Sequence, residues 1–306
     1  MAWVQSRTNK LKRYLFVYLL VLPGTLDMLI FRYVPMHGVL IAFKDYSIRR
    51  GIWGSKWNGF ENFGRLFVEP QFINVVRNTL TINFFNITLG FTFIIILALM
   101  IHELRIRTLR RTIQTLVYLP HFISWVVFAG LVMTFLATDD EAPLNVIVSF
   151  FGGKPRSWVT NRSLFRGIVV VTGIIKDAGF GTVIYLAALS SVNMEMVESS
   201  LIDGANRLQV IWYIYLPRIA PTIVVLFILH LANLFSSNFD QVFNLYNPAV
   251  YEKGDVISTY LYRTGLLQGN FESATALGLL FNVLGLILVL LASAVIKRLN
   301  VMGIFS

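Results

Sequence analysis

Residues Asn193–Pro221 read NMEMVESSLIDGANRLQVIWYIYLPRIAP, a long stretch of mixed polarity between two apolar runs. The pattern predicts a helix, a break and a second helix. Asn193 is placed to cap the first helix, and Glu195 and Glu198 fall in its first turns, where the positive helix end favours acids. Gly204 marks a bend. Leu201, Ile202, Ala205 and Leu208 recur at i, i+1, i+4 and i+7, so one face is apolar. Pro217 and Pro221 are expected to end the loop and open the next apolar run. An apolar stripe with nothing of its own to cover predicts packing against a partner.

The 306-residue chain as a whole is 56% hydrophobic and 14% charged, with mean hydropathy +0.67. Those values exclude a soluble domain, and several runs exceed the roughly 18 apolar residues that mark a spanning helix. There is no cysteine, so disulfides, thiolate zinc sites and thiol nucleophiles are excluded. His37, His102, His121 and His230 are scattered without paired ligand spacing, and no metal site is expected. A net charge of +10 in such a chain reads as the bias of basic residues toward the cytoplasmic loops, with no nucleic-acid role. The N-terminus has the basic-then-apolar order of a signal peptide, but its apolar run continues to Val34 without a small-residue cleavage site. It is therefore expected to stay as a first span.

Six spans are predicted: Tyr14–Val34, one within Asn74–Ile101, about Ile113–Ala137, Leu164–Ser190, Ile219–Phe243 and about Ser273–Ile296. Arg7, Lys10, Lys12 and Arg13 precede the first. Arg105, Arg107, Arg110 and Arg111 crowd the connection after the second, and Lys297 and Arg298 follow the sixth. Six spans put all of these on one side, so both termini and the 193–221 loop are expected in the cytoplasm. The outer connections are longer and mixed in charge, with Asp139, Asp140 and Glu141 clustered in one. The segment from Pro35 to Ile73 carries Trp53, Trp57, Phe60, Phe63 and Phe67, suited to an interfacial belt or a short amphipathic helix. The segment Asn244–Glu272 reads either as a docking surface or as an ordinary polar loop. No internal repeat or linker divides the chain, so 1–306 is expected to be a single membrane domain.

Ionisable groups inside a span cost roughly 2.5–3.5 kcal/mol each on insertion scales, which makes them informative. Lys176 and Asp177 fall near the middle of the fourth span, and Asn233 lies at similar depth in the fifth. Asn83 and Asn282 lie within a few turns of the outer side. A polar ring at one depth suits a path for a hydroxyl-rich solute; the competing reading is that asparagines bond helices together. Lys176 and Asp177 point about 100° apart on a helix and cannot satisfy only each other. Gly173, Gly179 and Gly181 permit close helix approach. Phe180 adds an aromatic face one turn below the charged pair.

The central loop resembles the EAA loop of the permease subunits of binding-protein-dependent ABC importers. The motif stands as Glu198-Ser199-Ser200-Leu201-Ile202-Asp203-Gly204-Ala205, followed by Leu216-Pro217, with Ser199 and Ser200 replacing two alanines. The approach LAALSSVNMEMVESSLIDGA and the tail FDQVFNLYNPAVYEKGDVISTYLYRTGLLQGNFESATALGLLFNVLG look like the sugar-importer branch (MalF-like), the tail most like its LplB-like group of polysaccharide and oligosaccharide permeases. The resemblance covers most of the chain. It implies an all-α membrane protein of the MetI-like permease fold, six transmembrane helices with a cytoplasmic coupling-helix loop. It further implies a non-catalytic subunit in the bacterial cell membrane, half of an oligosaccharide or polysaccharide pore. Expected partners are a second permease chain forming a heterodimer, two ATPase subunits that carry ATP and Mg, and an extracytoplasmic solute-binding protein; this chain itself is expected to bind no cofactor. Glu198, Ser199, Ser200, Asp203, Gly204, Ala205, Leu216 and Pro217 would couple to the ATPase. Lys176, Asp177, Phe180 and Asn233 would lie near the substrate path, where a charged pair suits an acidic or amino sugar.

The same machine serving glycerol phosphate or another small polar solute is the alternative within transport. An intramembrane enzyme would need paired catalytic groups at depth, and an ion channel a filter-like loop; neither pattern is visible. No GxxxxGK[ST] nucleotide loop occurs.

Overall fold

The computed structural model describes residues 2–235 and 238–298, with side chains from 14 to 297. The side chains of Arg7, Lys10, Lys12, Arg13 and Arg298, read above as inner-face charges, lie outside the described residues. Among the described residues, five helices are long and apolar enough to cross a membrane: Tyr14–Phe43, Pro70–Glu103, Arg162–Ser190, Arg207–Ala232 and Phe271–Lys297. Where the third span is expected there stands a bent pair, Arg107–Phe122 and Trp125–Phe135, at 106° to each other. A two-residue antiparallel pairing of Lys44–Asp45 with Lys56–Trp57 lies in the first connection. The aromatic-rich segment after it includes a short helix, Glu61–Val68, with Leu66 buried and Phe67 and Val68 exposed.

The fourth span is the organising helix. It is the most enclosed, with 44% of its apolar window buried, whereas the first span has 0%. Its glycines explain the difference. A Cβ at Gly179 would meet the Val117 carbonyl at 2.7 Å and Tyr118 Cα at 2.8 Å, and one at Gly181 would meet Ile94 at 2.8 Å. Second and third spans therefore pack directly on its backbone, the close contact that small residues allow where lipid supplies no hydrophobic drive. Gly179→Ala forces those backbones apart and is expected to cost about 1–3 kcal/mol, the range for overpacking. Thermal unfolding in lipid would show it as a lowered midpoint.

Several boundaries differ from the sequence reading; the first span, expected to end at Val34, runs on to Phe43. The third span is not one helix over 113–137. Pro120 lacks an N–H, Ile123 is extended, and Ser124 starts a new helix by accepting from the Val127 N–H. The fifth span begins at Arg207, not Ile219: the second helix expected within 193–221 is present and runs on into the span without a stop at Pro217. Pro217 is accommodated because it follows a π-helical turn, Ile211–Tyr215, where the backbone bonding register has already shifted. The same span ends at Ala232 rather than Phe243. Asn233 closes it, Asn238 takes φ 79°, and a separate helix, Phe239–Leu245, follows.

The chain on either side of the fifth span's end, at Leu234 and at Asn238, is held by asparagines. Asn83 donates to the Leu234 carbonyl at 2.5 Å and accepts from Asn238 at 2.6 Å. Irregular backbone at membrane depth needs such partners, because lipid provides none. One apolar cluster joins Ile94, Tyr185, Leu189, Val197 and Ile219, so the helix after Asn193 packs on the second, fourth and fifth spans.

Candidate functional site

Two regions matter, the 193–206 loop at one end of the bundle and a small mid-span cavity where polar side chains meet an otherwise apolar wall. In the loop, Asn193 accepts from the Glu195 N–H at 2.9 Å and caps the helix Met194–Ile202. Val197 is buried beneath it. Ser199 and Ser200 donate to the carbonyls of Met196 and Val197 at 3.1 and 2.7 Å. Their hydroxyls are thus satisfied within the helix, and the pair fills space much as two alanines would. Asp203 ends the helix, Gly204 turns at φ 89°, and the Ala205 N–H returns to the Ser200 carbonyl at 2.9 Å. Such a turn suits glycine, since a Cβ strains that backbone. Asn206 and Gln209 then cap the fifth span reciprocally.

The expected apolar stripe divides. Leu201 and Ala205 pack against the protein's own core, while Ile202 is 86% and Leu208 67% exposed. Trp212 and Tyr213, which the sequence pattern did not single out, continue that exposed apolar surface at 66% and 79%. Glu198 is exposed and has no ion-pair partner among the described residues. Leu216 packs on the core, whereas Pro217 is exposed. Arg207 pairs with Glu103 at 3.1 Å and so ties the fifth span to the end of the second. Distant sequence positions hid that link.

At mid-span the fourth helix separates the two adjacent charges. Lys176 is buried, 6% exposed, and its Nζ donates to the carbonyls of Pro120 at 3.1 Å, His121 at 3.3 Å, and Ile123. It also lies over the rings of Trp125 and Phe128, at 5.2 and 5.9 Å. The ammonium thus replaces the missing helical donors at the bend of the third span. Phe180 is exposed and stacks on His121 at 5.0 Å.

Asp177 points the other way. It lines a cavity of about 100 Å³ with Asn83, Asn86, His230, Asn233 and Asn238. Gly173 forms part of the wall, where a Cβ would crowd Gln241 at 3.3 Å and Asn86 at 3.4 Å. Oδ1 of Asn86 is buried without a hydrogen-bond partner among the described residues, leaving an acceptor for a hydroxyl or water. Asp177, His230 and Asn233 are all exposed on the side of the bundle opened by this cavity. The sequence reading had Asp177 and Asn233; His230 passed as an isolated histidine, although an ionisable group in a span was itself a signal. Asn282 is not in this group and lines a separate hollow with Phe235 and Gly285.

These features define a class: a multi-pass helical membrane protein whose broken spans surround a small cavity where polar side chains meet an otherwise apolar wall, and whose capped loop projects an apolar surface from one end. Residues 90–301 match the family described as the binding-protein-dependent transport system inner membrane component, and the chain belongs to it. It is 40% identical to the polygalacturonan/rhamnogalacturonan transport system permease protein YteP of Bacillus subtilis (strain 168), over 97% of this chain and 92% of the relative. It is 39% identical to protein LplB of the same organism, over 96% and 92%. Among solved structures it superposes on a chain of a bacterial alginate ABC transporter, in complex with an alginate pentasaccharide-bound periplasmic protein. The TM-score is 0.88 at 40% identity, covering 95% of this chain and 97% of that one.

Proposed function

We propose that this chain is the non-catalytic pore subunit of an ABC importer for an oligosaccharide or polysaccharide. The observation that carries the reading is the exposure of Asp177, His230 and Asn233 at mid-span. Ionisable side chains at that depth avoid lipid and face a water-filled path or another protein chain. Amides and a carboxylate around a small cavity match the hydroxyl pattern of a sugar. The names of the relatives point to saccharides, including acidic ones.

A second permease chain completes the pore in this reading. The first span, with none of its apolar window buried, leaves a long apolar helix for lipid or a second chain to cover; that the second chain is a different one, making a heterodimer, is what the family resemblance implies. The loop of residues 193–206 faces the cytoplasm with both termini, and seats its exposed Ile202 and Leu208 on one of two ATPase subunits, which hold ATP and Mg. Closure of the ATPases pushes the Met194–Ile202 helix. Its packing on the second, fourth and fifth spans, with the Arg207–Glu103 pair, carries that displacement to the cavity. The energetic logic is a two-state bundle biased by nucleotide at one end and by the loaded binding protein at the other.

The test uses the assembled importer in lipid, with its ATPase and solute-binding protein. ATP hydrolysis is expected to rise with one class of oligosaccharide in a panel of neutral oligosaccharides, uronic-acid oligosaccharides, glycerol phosphates and amino acids. Stimulation by glycerol phosphate alone would keep the importer and discard the saccharide.

A further inference from the structure

The 106° bend of the third span swings Trp125–Phe135 off the line of Arg107–Phe122, and a groove of about 610 Å³ runs between it and the outer half of the fourth span. Phe128, Leu131 and Phe135 form one wall, and Leu164, Ile168 and Val171 the other. Gly167 belongs to the second wall, and a Cβ there would meet nothing within 4 Å. The polar side chains that touch the groove are spent elsewhere. The Thr172 hydroxyl donates to the Ile168 and Val169 carbonyls, at 2.7 and 3.2 Å, and Trp158 Nε1 donates to Asn145 Oδ1 at 2.7 Å. Among the described residues the groove therefore offers water no partner, and it fits an apolar occupant.

The groove has a roof. Leu144, from the helix Pro143–Phe150, and Trp158 close its outer end. The buried Asn145 holds the roof together. Its Nδ2 donates to the carbonyls of Ala137, Asp139 and Arg156, at 3.3, 3.0 and 3.2 Å, and its Oδ1 accepts from the Arg156 N–H at 3.0 Å as well as from Trp158. Two segments of opposite charge therefore meet above the groove. One carries Lys154 and Arg156, the Arg156 guanidinium lying 6.0 Å from the centre of the Trp158 ring. The other carries Asp139, Asp140 and Glu141. All five are exposed and make no ion pair among the described residues. On the roof helix Val146, Ile147 and Phe150 are exposed, with Phe151 after them, an apolar face suited to the lipid interface. From Leu164 to Ile175 the groove covers about 16 Å at 1.5 Å per residue, about half of the roughly 30 Å hydrocarbon core. A slot one leaflet deep, closed at headgroup level and charged above, has the proportions of a lipid tail and head. A helix of another chain crosses the full core and would run into Leu144 and Trp158.

We infer that this groove is a binding site for one phospholipid of the outer leaflet, with an acyl chain between the third and fourth spans and the headgroup at the roof. Arg156 and Lys154 hold the phosphate. The 139–141 turn takes a primary ammonium, so phosphatidylethanolamine fits both halves of the mixed-charge rim. The site is separate from the cavity at Asp177 and does not depend on the solute carried.

The test uses the complete complex, stripped of loosely held lipid and exchanged into dioleoyl phosphatidylethanolamine, phosphatidylcholine or phosphatidylglycerol. Native mass spectrometry counts the phospholipid that each complex keeps. Wild type is expected to keep one phosphatidylethanolamine more per copy of this chain than Gly167→Leu does. The leucine fills the groove and weakens retention about tenfold, because it displaces several buried methylenes. Arg156→Gln is expected to weaken retention about threefold, the scale of one exposed charge contact, and Arg156→Lys to restore most of it. Phosphatidylcholine, whose ammonium has no proton to donate, and phosphatidylglycerol, which has no ammonium, are expected to be held less well. Open space at position 167 lets Gly167→Leu assemble, which co-purification of the ATPase checks; Val171→Phe, at an exposed position on the same wall, serves if it does not. Equal retention by wild type and both filling variants overturns the lipid site. A Gly167→Cys protein that crosslinks to a cysteine in the spans of the second permease chain also overturns it, and makes the groove a seat for a helix. Equal retention of all three lipids, with no loss in Arg156→Gln, overturns the headgroup contact and reduces the occupant to ordinary boundary lipid.

Discussion

Lys176→Ala lowers the stability of the membrane-embedded protein by about 3 kcal/mol, the scale for losing charge-assisted hydrogen bonds and leaving buried carbonyls unpaired, while Asp177→Asn leaves stability nearly unchanged and reduces uptake. The two residues are neighbours in sequence, yet their surroundings assign opposite outcomes. Lys176 spends its donors on Pro120, His121 and Ile123 at the bend of the third span. Removing it strands carbonyls at membrane depth, and Lys176→Met, which keeps the volume, is expected to fail in the same way. Asp177 faces the cavity, and no bend depends on it. Loss of its charge is expected to reduce saccharide uptake about tenfold, equivalent to one well-placed contact of 1.4 kcal/mol. Thermal unfolding in lipid and uptake into proteoliposomes, measured on both variants, separate the effects. Normal uptake by a well-folded Asp177→Asn protein would remove that cavity from the path. Normal stability of Lys176→Ala would show that the bend does not depend on the ammonium.

Glu198→Arg is expected to abolish co-purification of the ATPase and to cut uptake by more than about tenfold, the range for truncating or reversing a charge at an interface. Glu198 is exposed and has no ion-pair partner among the described residues, so reversal has little within the chain to disturb, and the loss reports on the partner. Gly204→Val reaches the same end differently. A β-branched residue at φ 89° costs about 1–2 kcal/mol in backbone energy and pulls apart the turn that returns the Ala205 N–H to Ser200. The helix would then present Ile202 at a changed angle. The variant is expected to keep its bundle, bind the ATPase weakly and hydrolyse ATP without transport. Retained co-purification and uptake in both variants would place the ATPase contact elsewhere.

Much of the fold was legible because its signals are local. Apolar runs long enough to span, the cap at Asn193, the glycine at 204 and the leucine–proline pair each follow from neighbouring residues. The span ends were less legible. Pro217 and Pro221 read as the start of a helix, yet the π-helical turn before Pro217 lets the helix begin at Arg207. The apolar run from 113 to 137 looks the same whether its helix is straight or bent by 106°. Pro120 was the visible hint, but the stabilising partner at the bend comes from a residue more than fifty positions away.

The sequence by itself determined the membrane class, the small-residue faces of the fourth span and the capped loop with its glycine turn. Each rests on hydropathy, spacing or a backbone preference that neighbouring residues express without help. Tertiary structure alone decided what the polar groups at depth do. It sent Lys176 to the broken third span and Asp177 to an asparagine-lined cavity, joined Arg207 to Glu103, and divided the loop's apolar stripe between core and surface. A buried polar group must find partners wherever the packed helices bring donors and acceptors together, and that geometry is written across segments far apart in the chain.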